Sequence, residues 1–129
     1  MRDILFRGKR TDNGEWVEGM LARFNPMFEV ANIIGVGEIL VPVFTSTVGQ
    51  YTGLIDKDGK RIFEGDVISG YTLSGKADFR NAVVRWDKMF SAWHAGESRS
   101  LFYGLGDIYE IIGNIHDNPE LLGGDEDGR

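Results

Sequence analysis

The sequence predicts a mainly β fold, a sandwich or a barrel built from short strands. Glycine supplies 18 of the 129 residues, about double its average share, and most glycines stand between short apolar segments. Regular turn residues between short apolar runs are typical of both architectures. With 42% hydrophobic and 12% aromatic residues, a wholly disordered chain is not expected. The length fits one domain, or one domain with a small appendage.

Turn signals and apolar spacing place the strands. Asn13-Gly14 and Asp58-Gly59 are hairpin signals, because both residues of each pair tolerate positive φ. Pro42 has no backbone N–H and therefore indicates an edge strand or a bulge. Strands are predicted at residues 4–9, 15–21, 39–43, 51–55, 61–63, 67–71, 81–86, 91–95 and 108–115.

The remaining segments are assigned as follows. Residues 108–115 are mostly apolar, so this strand is expected to be buried on both faces. Residues 72–78 resemble a mobile polar loop, and residues 98–105 fit either a strand or a short helix. Proline after an N-cap residue predicts one helical turn over residues 118–122. Residues 123–129 have no apolar side chain and are expected to form a disordered acidic tail.

Charge is unevenly distributed along an acidic chain with a net charge of −6. The first ten residues carry four basic side chains against one acidic: Arg2, Arg7, Lys9 and Arg10. They form a phosphate-binding patch, a solvated strand face, or one side of a weak, salt-screened attraction to the acidic C-terminal end. The second interpretation is favoured, because a few basic residues in an acidic chain attract nucleic acid weakly.

Several chemistries are excluded or disfavoured. The absence of cysteine excludes disulfides, thiol nucleophiles and cysteine zinc sites. His94 and His116 have no metal-ligand neighbour at helical spacing, so neither a metal nor a cofactor is expected. Glu64 and Asp66 flank Gly65 and are able in principle to act as an acid–base pair or to bind magnesium. A turn with Asp66 bonded to backbone amides is the favoured interpretation. No apolar run reaches the roughly 18–20 residues that span a membrane.

Tryptophan positions complete the candidate surface. Trp86 shares a strand face with Val84 and is expected in the core, whereas Trp93 follows a turn and is expected to be more exposed. Exposed aromatic side chains on a small β domain bind peptides or stack on bases. The candidate binding surface is Arg2, Arg7, Lys9, Arg10, Trp16 and Trp93.

Six segments together resemble the YopX family of phage and prophage proteins in order and spacing. They are FRGKR at 6–10, GEWVEG at 14–19, TVGQYTGL at 47–54, DKDGK at 56–60, IFEGDVI at 62–68 and IGNIHDNPELL at 112–122. Much of residues 20–46 and 73–105 carries no such motif. The resemblance implies an SH3-like β-barrel at residues 64–122 and an N-terminal β-hairpin region at 1–63 packed on it, while the tail at 123–129 carries no family motif. It implies no catalytic residues and no cofactor.

Three functional hypotheses follow. The leading one is a non-enzymatic binding or assembly protein of the bacterial cytoplasm, whose partner is another protein or a second copy of the chain. The first alternative is a nucleic-acid-binding accessory protein that uses the basic N-terminal strand. The second is a metal-dependent hydrolase, which requires Glu64 and Asp66 to converge with His116 or Asp117. Neither a membrane nor, given the net charge, a high-affinity nucleic-acid partner is expected.

Overall fold

The computed structural model describes residues 4–72, 74–96, 99–100 and 107–123. The mainly β class is confirmed, since no α-helix occurs in these ranges. The strands are β1 (Phe6–Lys9), β2 (Trp16–Arg23), β3 (Val30–Ile34), β4 (Leu40–Phe44), β5 (Gly49–Ile55), β6 (Arg61–Phe63), β7 (Asp66–Thr72), β8 (Ala77–Asp87), β9 (Ala92–Ala95), β10 (Arg99–Ser100) and β11 (Asp107–Asn114). Short 3₁₀ helices span Val36–Glu38, Thr45–Thr47 and Pro119–Gly123.

The chain divides into two compact units, Met1–Tyr51 and Thr52–Arg129. The sequence-based division falls later, after residue 63. The difference arises because the end of β5 and all of β6 belong to the second unit. There Leu54 and Ile62 are buried in the same core cluster as Ile68.

In the first unit the strands are antiparallel and follow the order β4-β3-β2-β1-β5. The predicted first hairpin is confirmed: Lys9 lies opposite Trp16, and Gly14 adopts a φ of 73° in the turn. Pro42 lies in β4, at the end of the sheet order, which confirms the predicted edge position. The Pro42 carbonyl still accepts a hydrogen bond from the Thr11 N–H.

The first unit's sheet curls so that the end of β1 approaches β4. An isolated antiparallel bridge joins Arg10 to Val43, and a Cβ on Gly8 would lie 2.8 Å from Val43 Cγ2. Glycine at position 8 is therefore required by close approach. Val43 is fully buried with Ile33 on the inner face of the sheet.

The second unit is built around the antiparallel sheet β10-β9-β8-β7-β11. The inner strand β7, which lies between β8 and β11, is buried continuously from Asp66 to Gly70. The expectation that residues 108–115 are buried on both faces is wrong. This segment forms the edge strand β11, in which Tyr109 is 5% exposed but Ile112 is 40% exposed.

The expected SH3-like barrel at residues 64–122 is not confirmed. The described strands of this region form an open antiparallel sheet that ends at β10 on one side and β11 on the other. They contain no closed barrel. The strand pairs predicted around it do form, including β8 with β9, where Trp86 lies opposite Trp93.

Turns account for the remaining predicted features. Gly59 has a φ of 82° in the β5–β6 hairpin, which confirms the Asp58-Gly59 signal. The expected loop at 72–78 contains a tight turn in which the Thr72 N–H bonds to the Lys76 carbonyl. The predicted helical turn is the 3₁₀ helix Pro119–Gly123. Most of segment 98–105 and the tail beyond Gly123 lie outside the described residues.

In the part of the chain that is described, no helix has the length and apolar content needed to cross a membrane.

Candidate binding surface

The predicted basic and aromatic residues come together in part on β1 and β2. Strand alternation places Arg7 and Lys9 on the face opposite Gly8. The Arg7 guanidinium carbon lies 4.5 Å from the centroid of the Trp16 ring, and the Lys9 ammonium nitrogen lies 5.7 Å from it. Both cations therefore contact the π-system of one tryptophan. This local cluster contains three of the six residues of the predicted surface.

Arg10 is engaged in a local ion pair. Its guanidinium donates two hydrogen bonds to the carboxylate of Asp12, at 2.9 and 2.8 Å. This bidentate hydrogen bonding raises the pKa of Arg10 and lowers the pKa of Asp12. The charge of Arg10 is thus balanced within its own turn. Arg2 lies outside the described residues.

The expected burial of Trp86 and the expected exposure of Trp93 are both wrong. Trp86 is 44% exposed, whereas Trp93 is partly buried against the core cluster of the second unit. Trp86 shares a face with the buried Val84, but it lies one residue before the end of β8, where the core no longer covers that face. The two rings pack edge to face with centroids 5.1 Å apart.

Asp66 has a structural role. It is 2% exposed, and its Oδ2 accepts a hydrogen bond of 2.7 Å from the Phe63 N–H. Among the described residues, no group of three or more His, Cys, Asp or Glu side chains is placed to hold a metal ion. The hydrogen bond from the Phe63 N–H agrees with the interpretation in which Asp66 bonds to backbone amides.

The sequence did not reveal an apolar surface on the outer face of β2, β3 and β4. Met20 lies opposite Ile34, and Ile34 lies opposite Leu40, so these three residues form a row across the strands. Val30 lies opposite Phe44 in a second row. Four of them are largely exposed, at 64% for Met20, 59% for Leu40, 45% for Val30 and 43% for Phe44, and Ile34 is half-buried. We call these five residues the outer apolar face.

A signal for this surface was available in the sequence. Residues 39–44 are apolar at every position, and Pro42 marks them as an edge strand. A strand at the end of a small sheet rarely has cover on both faces. The apolar run and the edge position together indicate that one apolar face of this strand stays exposed.

An open cleft of about 650 Å³ adjoins the outer apolar face. Its apolar walls are Phe24, Met27, Phe28 and Phe44, and we call it the phenylalanine cleft. The loop that carries these walls is shaped by Asn25, whose side chain and carbonyl accept hydrogen bonds from the N–H groups of Met27 and Phe28. Met27 and Phe28 remain 85% and 64% exposed.

The turn between β8 and β9 presents a second exposed apolar feature. Met89 and Phe90 are 86% and 67% exposed. With the exposed Lys88 they form what we call the hairpin tip. Asp87 Oδ1 accepts hydrogen bonds from the N–H groups of Met89 and Phe90, at 2.9 and 3.3 Å. The Phe90 ring stacks on buried His94 with centroids 5.7 Å apart.

Asp87 anchors the base of the hairpin tip. Its Oδ2 lies 3.4 Å from an Arg85 guanidinium nitrogen and 3.3 Å from His94 Nδ1. Desolvation alone would raise the pKa of Asp87. The hydrogen bonds from the tip amides, together with the nearby Arg85 guanidinium, outweigh it and lower that pKa. The tip is therefore an exposed feature of defined shape.

Comparison with known proteins identifies the family. The model of the YopX protein family matches residues 5–123. The chain belongs to the YopX family. Protein EF1440 from Enterococcus faecalis, known from its crystal structure, is 24% identical with a TM-score of 0.56, and the match covers 95% of this chain and 99% of that chain. This likeness bears on the fold alone. No curated protein matches the chain.

In this YopX protein, motif residues hold turns. Asp56 Oδ1 accepts hydrogen bonds of 2.9 Å from the N–H groups of Asp58 and Lys60. Asn114 Oδ1 accepts hydrogen bonds from the next turn, including one of 2.9 Å from the Asp117 N–H. The outer apolar face and the hairpin tip lie mainly between these motifs, in stretches where the sequence carries no recognisable signature.

Proposed function

We propose that this YopX protein is a non-enzymatic binding or assembly protein, encoded by a phage or prophage and acting in the bacterial cytoplasm. Its binding surface is the outer apolar face. The observation that carries the proposal is the exposure of Met20, Leu40, Val30 and Phe44 on neighbouring strands. Large exposed apolar side chains grouped on one sheet face mark interaction sites on soluble proteins, although Asn32 separates the two rows here.

The chemistry of the surface favours a protein partner. Its side chains are mostly aliphatic, and Met20, Ile34 and Leu40 lie side by side across three strands. Aliphatic side chains neither pair with phosphate nor stack on bases, which are the usual interactions with nucleic acid. They gain free energy by leaving water against another apolar surface, at about 25 cal/mol per Å². A protein surface provides such an area.

The test compares two double variants with the wild-type chain. Met20→Ser with Leu40→Ser alters the outer apolar face, and Ile55→Ser with Leu122→Ser changes exposed apolar residues elsewhere, at 56% and 49% exposure. Each protein is immobilised and exposed to bacterial lysate, and bound proteins are identified by mass spectrometry. Light scattering measures self-association in parallel.

The expected result is a partner, or self-association, that the wild type and the control pair retain and the face pair loses. Circular dichroism establishes that all three proteins are folded. Capture that is unchanged in the face pair contradicts the proposal. A wild-type chain that captures nothing and stays monomeric contradicts it as well.

Nucleic-acid binding is the second candidate, because Arg7, Lys9 and Trp16 converge on one face. It is weaker on two grounds. Arg10 is paired with Asp12, and the net charge of −6 repels polyanions. A gel shift at low salt is the test. A shift that disappears in Arg7→Ser with Lys9→Ser supports this candidate, and no shift at micromolar protein removes it.

A further inference from the structure

The lining of the phenylalanine cleft determines the chemistry of an occupant that would fit it. Its walls are apolar, and among its described lining residues Glu29 is the one charged side chain, with Thr45 and Ser46 as hydroxyl groups. An occupant that fits must place apolar side chains between the phenylalanines and a cation beside Glu29. Two clefts pressed together would bury their apolar walls but provide no cation for either Glu29.

The chain itself carries a segment with this chemistry. The hairpin tip presents Met89 and Phe90 to solvent, and Lys88 directly precedes them. Aromatic side chains held in one conformation are the usual anchors of protein interfaces. Phe90 is held against His94, and the tip backbone is fixed by Asp87, so binding would order few additional groups.

We propose that the hairpin tip of one copy docks in the phenylalanine cleft of a second copy. Met89 and Phe90 enter the cleft, and Lys88 pairs with Glu29. The cleft volume of about 650 Å³ lies within the range of roughly 300–1,000 Å³ that is typical of sites enclosing a compact group. The inference rests on the proposed function, because it names a partner, a second copy of the chain, for the cleft that shares Phe44 with the outer apolar face.

This contact joins different surfaces of the two copies. Each copy has one tip and one cleft, so every added copy leaves a free tip and a free cleft unless a ring closes. The assembly therefore grows with protein concentration. A tip that docked in the cleft of its own chain would leave the molecular mass unchanged at every concentration.

The first experiment uses two complementary double variants. Met89→Ser with Phe90→Ser removes the tip, and Met27→Ser with Phe28→Ser removes the cleft walls. All four side chains are largely exposed, so both variants are expected to fold. Sedimentation velocity over a concentration series measures the mass of the wild type, of each variant and of their equimolar mixture.

The wild type is expected to increase in mass with concentration, and each variant alone is expected to stay monomeric. The mixture should form a 1:1 heterodimer and nothing larger, because it contains one intact tip and one intact cleft per pair. A monomeric wild type, variants that assemble like the wild type, or a mixture without heterodimer would each overturn the proposal. Assembly that survives the tip variant but not the cleft variant indicates cleft-to-cleft pairing and also overturns it.

A charge exchange tests the polar half of the contact. Lys88→Glu and Glu29→Lys are each expected to weaken assembly about threefold, as for exposed ion pairs. The double variant that carries Lys88→Glu and Glu29→Lys in one chain should recover the wild-type affinity, while the control Lys76→Glu, in a different turn, should change nothing. Failure of the double variant to recover affinity contradicts the Lys88–Glu29 pairing.

The outcomes separate this inference from the proposed function. If the wild type is monomeric but lysate partners are still lost in the Met20→Ser, Leu40→Ser pair, tip-to-cleft docking fails and the proposed function stands. If neither assembly nor any captured partner depends on the outer face or the cleft, both fail.

Discussion

Strands β4 and β7 are both rich in apolar residues, yet they differ in how much of that surface is covered. In β4 burial alternates: Val41 and Val43 are buried, while Leu40 and Phe44 are exposed. In β7 every residue from Asp66 to Gly70 is buried. β7 has β8 and β11 as hydrogen-bonded neighbours, whereas β4 ends its sheet order. Strand β3 alternates like β4 although it has strand neighbours on both sides, so cover on the second face of the sheet accounts for the difference.

The comparison assigns different roles to the two strands. Apolar residues covered on folding contribute to the free energy of unfolding. Those left in water contribute little to it, and their free energy is released when a partner covers them. On this argument β7 stabilises the fold, while the outer face of β4 serves binding. Substitutions in each strand separate these roles.

The largest expected effect is in β7. Ile68 is fully buried in the core of the second unit, and Ile68→Ala is expected to lower the free energy of unfolding by about 2–5 kcal/mol, since it removes packed methyl groups and leaves a cavity. Urea denaturation measures the change. The matched substitution Leu40→Ala, at a side chain that is 59% exposed, should cost less than about 0.5 kcal/mol. Equal losses at the two sites would show that β4 and β7 are covered alike.

The sequence predicts local turns well but predicts poorly which strand faces are covered. Glycine and proline positions predict the hairpin at Gly14, the hairpin at Gly59 and the edge strand at Pro42, because these signals are local and act through φ or a missing N–H. Cover on a strand's second face depends on neighbours distant in sequence. For that reason the burial of residues 108–115 and the order of exposure of Trp86 and Trp93 were assigned wrongly.

The candidate site shows the same limit. The clustering of Arg7 and Lys9 with Trp16 follows from hairpin register, which the Asn13-Gly14 turn largely fixes. The phenylalanine cleft needs a loop after β2 to meet the end of β4, and no local pattern encodes that meeting. The family motifs mark turns and leave both exposed apolar features without a signature.

A second prediction concerns β11, the strand that covers one edge of β7. Asp56 Oδ2 accepts a 3.4 Å hydrogen bond from the Ile111 N–H, and the Lys57 N–H bonds to the Tyr109 carbonyl. Asp56→Ala removes the turn's acceptor and is expected to cost about 1–3 kcal/mol. Hydrogen exchange should rise most at Ile111 and its neighbours. Exchange that rises uniformly over the chain would contradict a local role for Asp56.

The pH dependence of stability gives Asp56 an independent readout. Burial alone would raise the pKa of Asp56, but hydrogen bonds from the amides of Lys60, Asp58 and Ile111 outweigh it and lower that pKa. The carboxylate therefore stabilises the fold above the ordinary carboxyl pKa of about 4. This contribution is lost as the pH falls through the lowered value. The free-energy difference between the wild type and Asp56→Asn should shrink in acid, and a constant difference would contradict the assignment.

A third prediction tests the inner face of β4. A Cβ at position 8 would lie 2.8 Å from Val43 Cγ2, so Gly8→Ala is expected to cost about 1–3 kcal/mol through overpacking. Val43→Ala creates space at that point. The double variant should therefore lose less than the sum of the single losses in a double-mutant cycle. Additive losses would show that β1 and β4 do not meet there.

The smallest expected effect on stability is at the outer face of β4. This effect tests most directly whether that face is exposed to solvent. Leu40→Ser should change the free energy of unfolding by no more than about 0.5 kcal/mol, because the side chain is already largely in water. Its neighbour Val41 is 8% exposed on the opposite face, and Val41→Ser should destabilise strongly by burying a hydroxyl and removing packed methyl groups. Leu40 and Val41 are adjacent in the same strand and point to opposite faces. The difference between the two losses therefore reports how well each face is covered. If Leu40→Ser proved as costly as Val41→Ser, the outer face would be part of a folded core, and an interaction surface would no longer be needed to explain its apolar character.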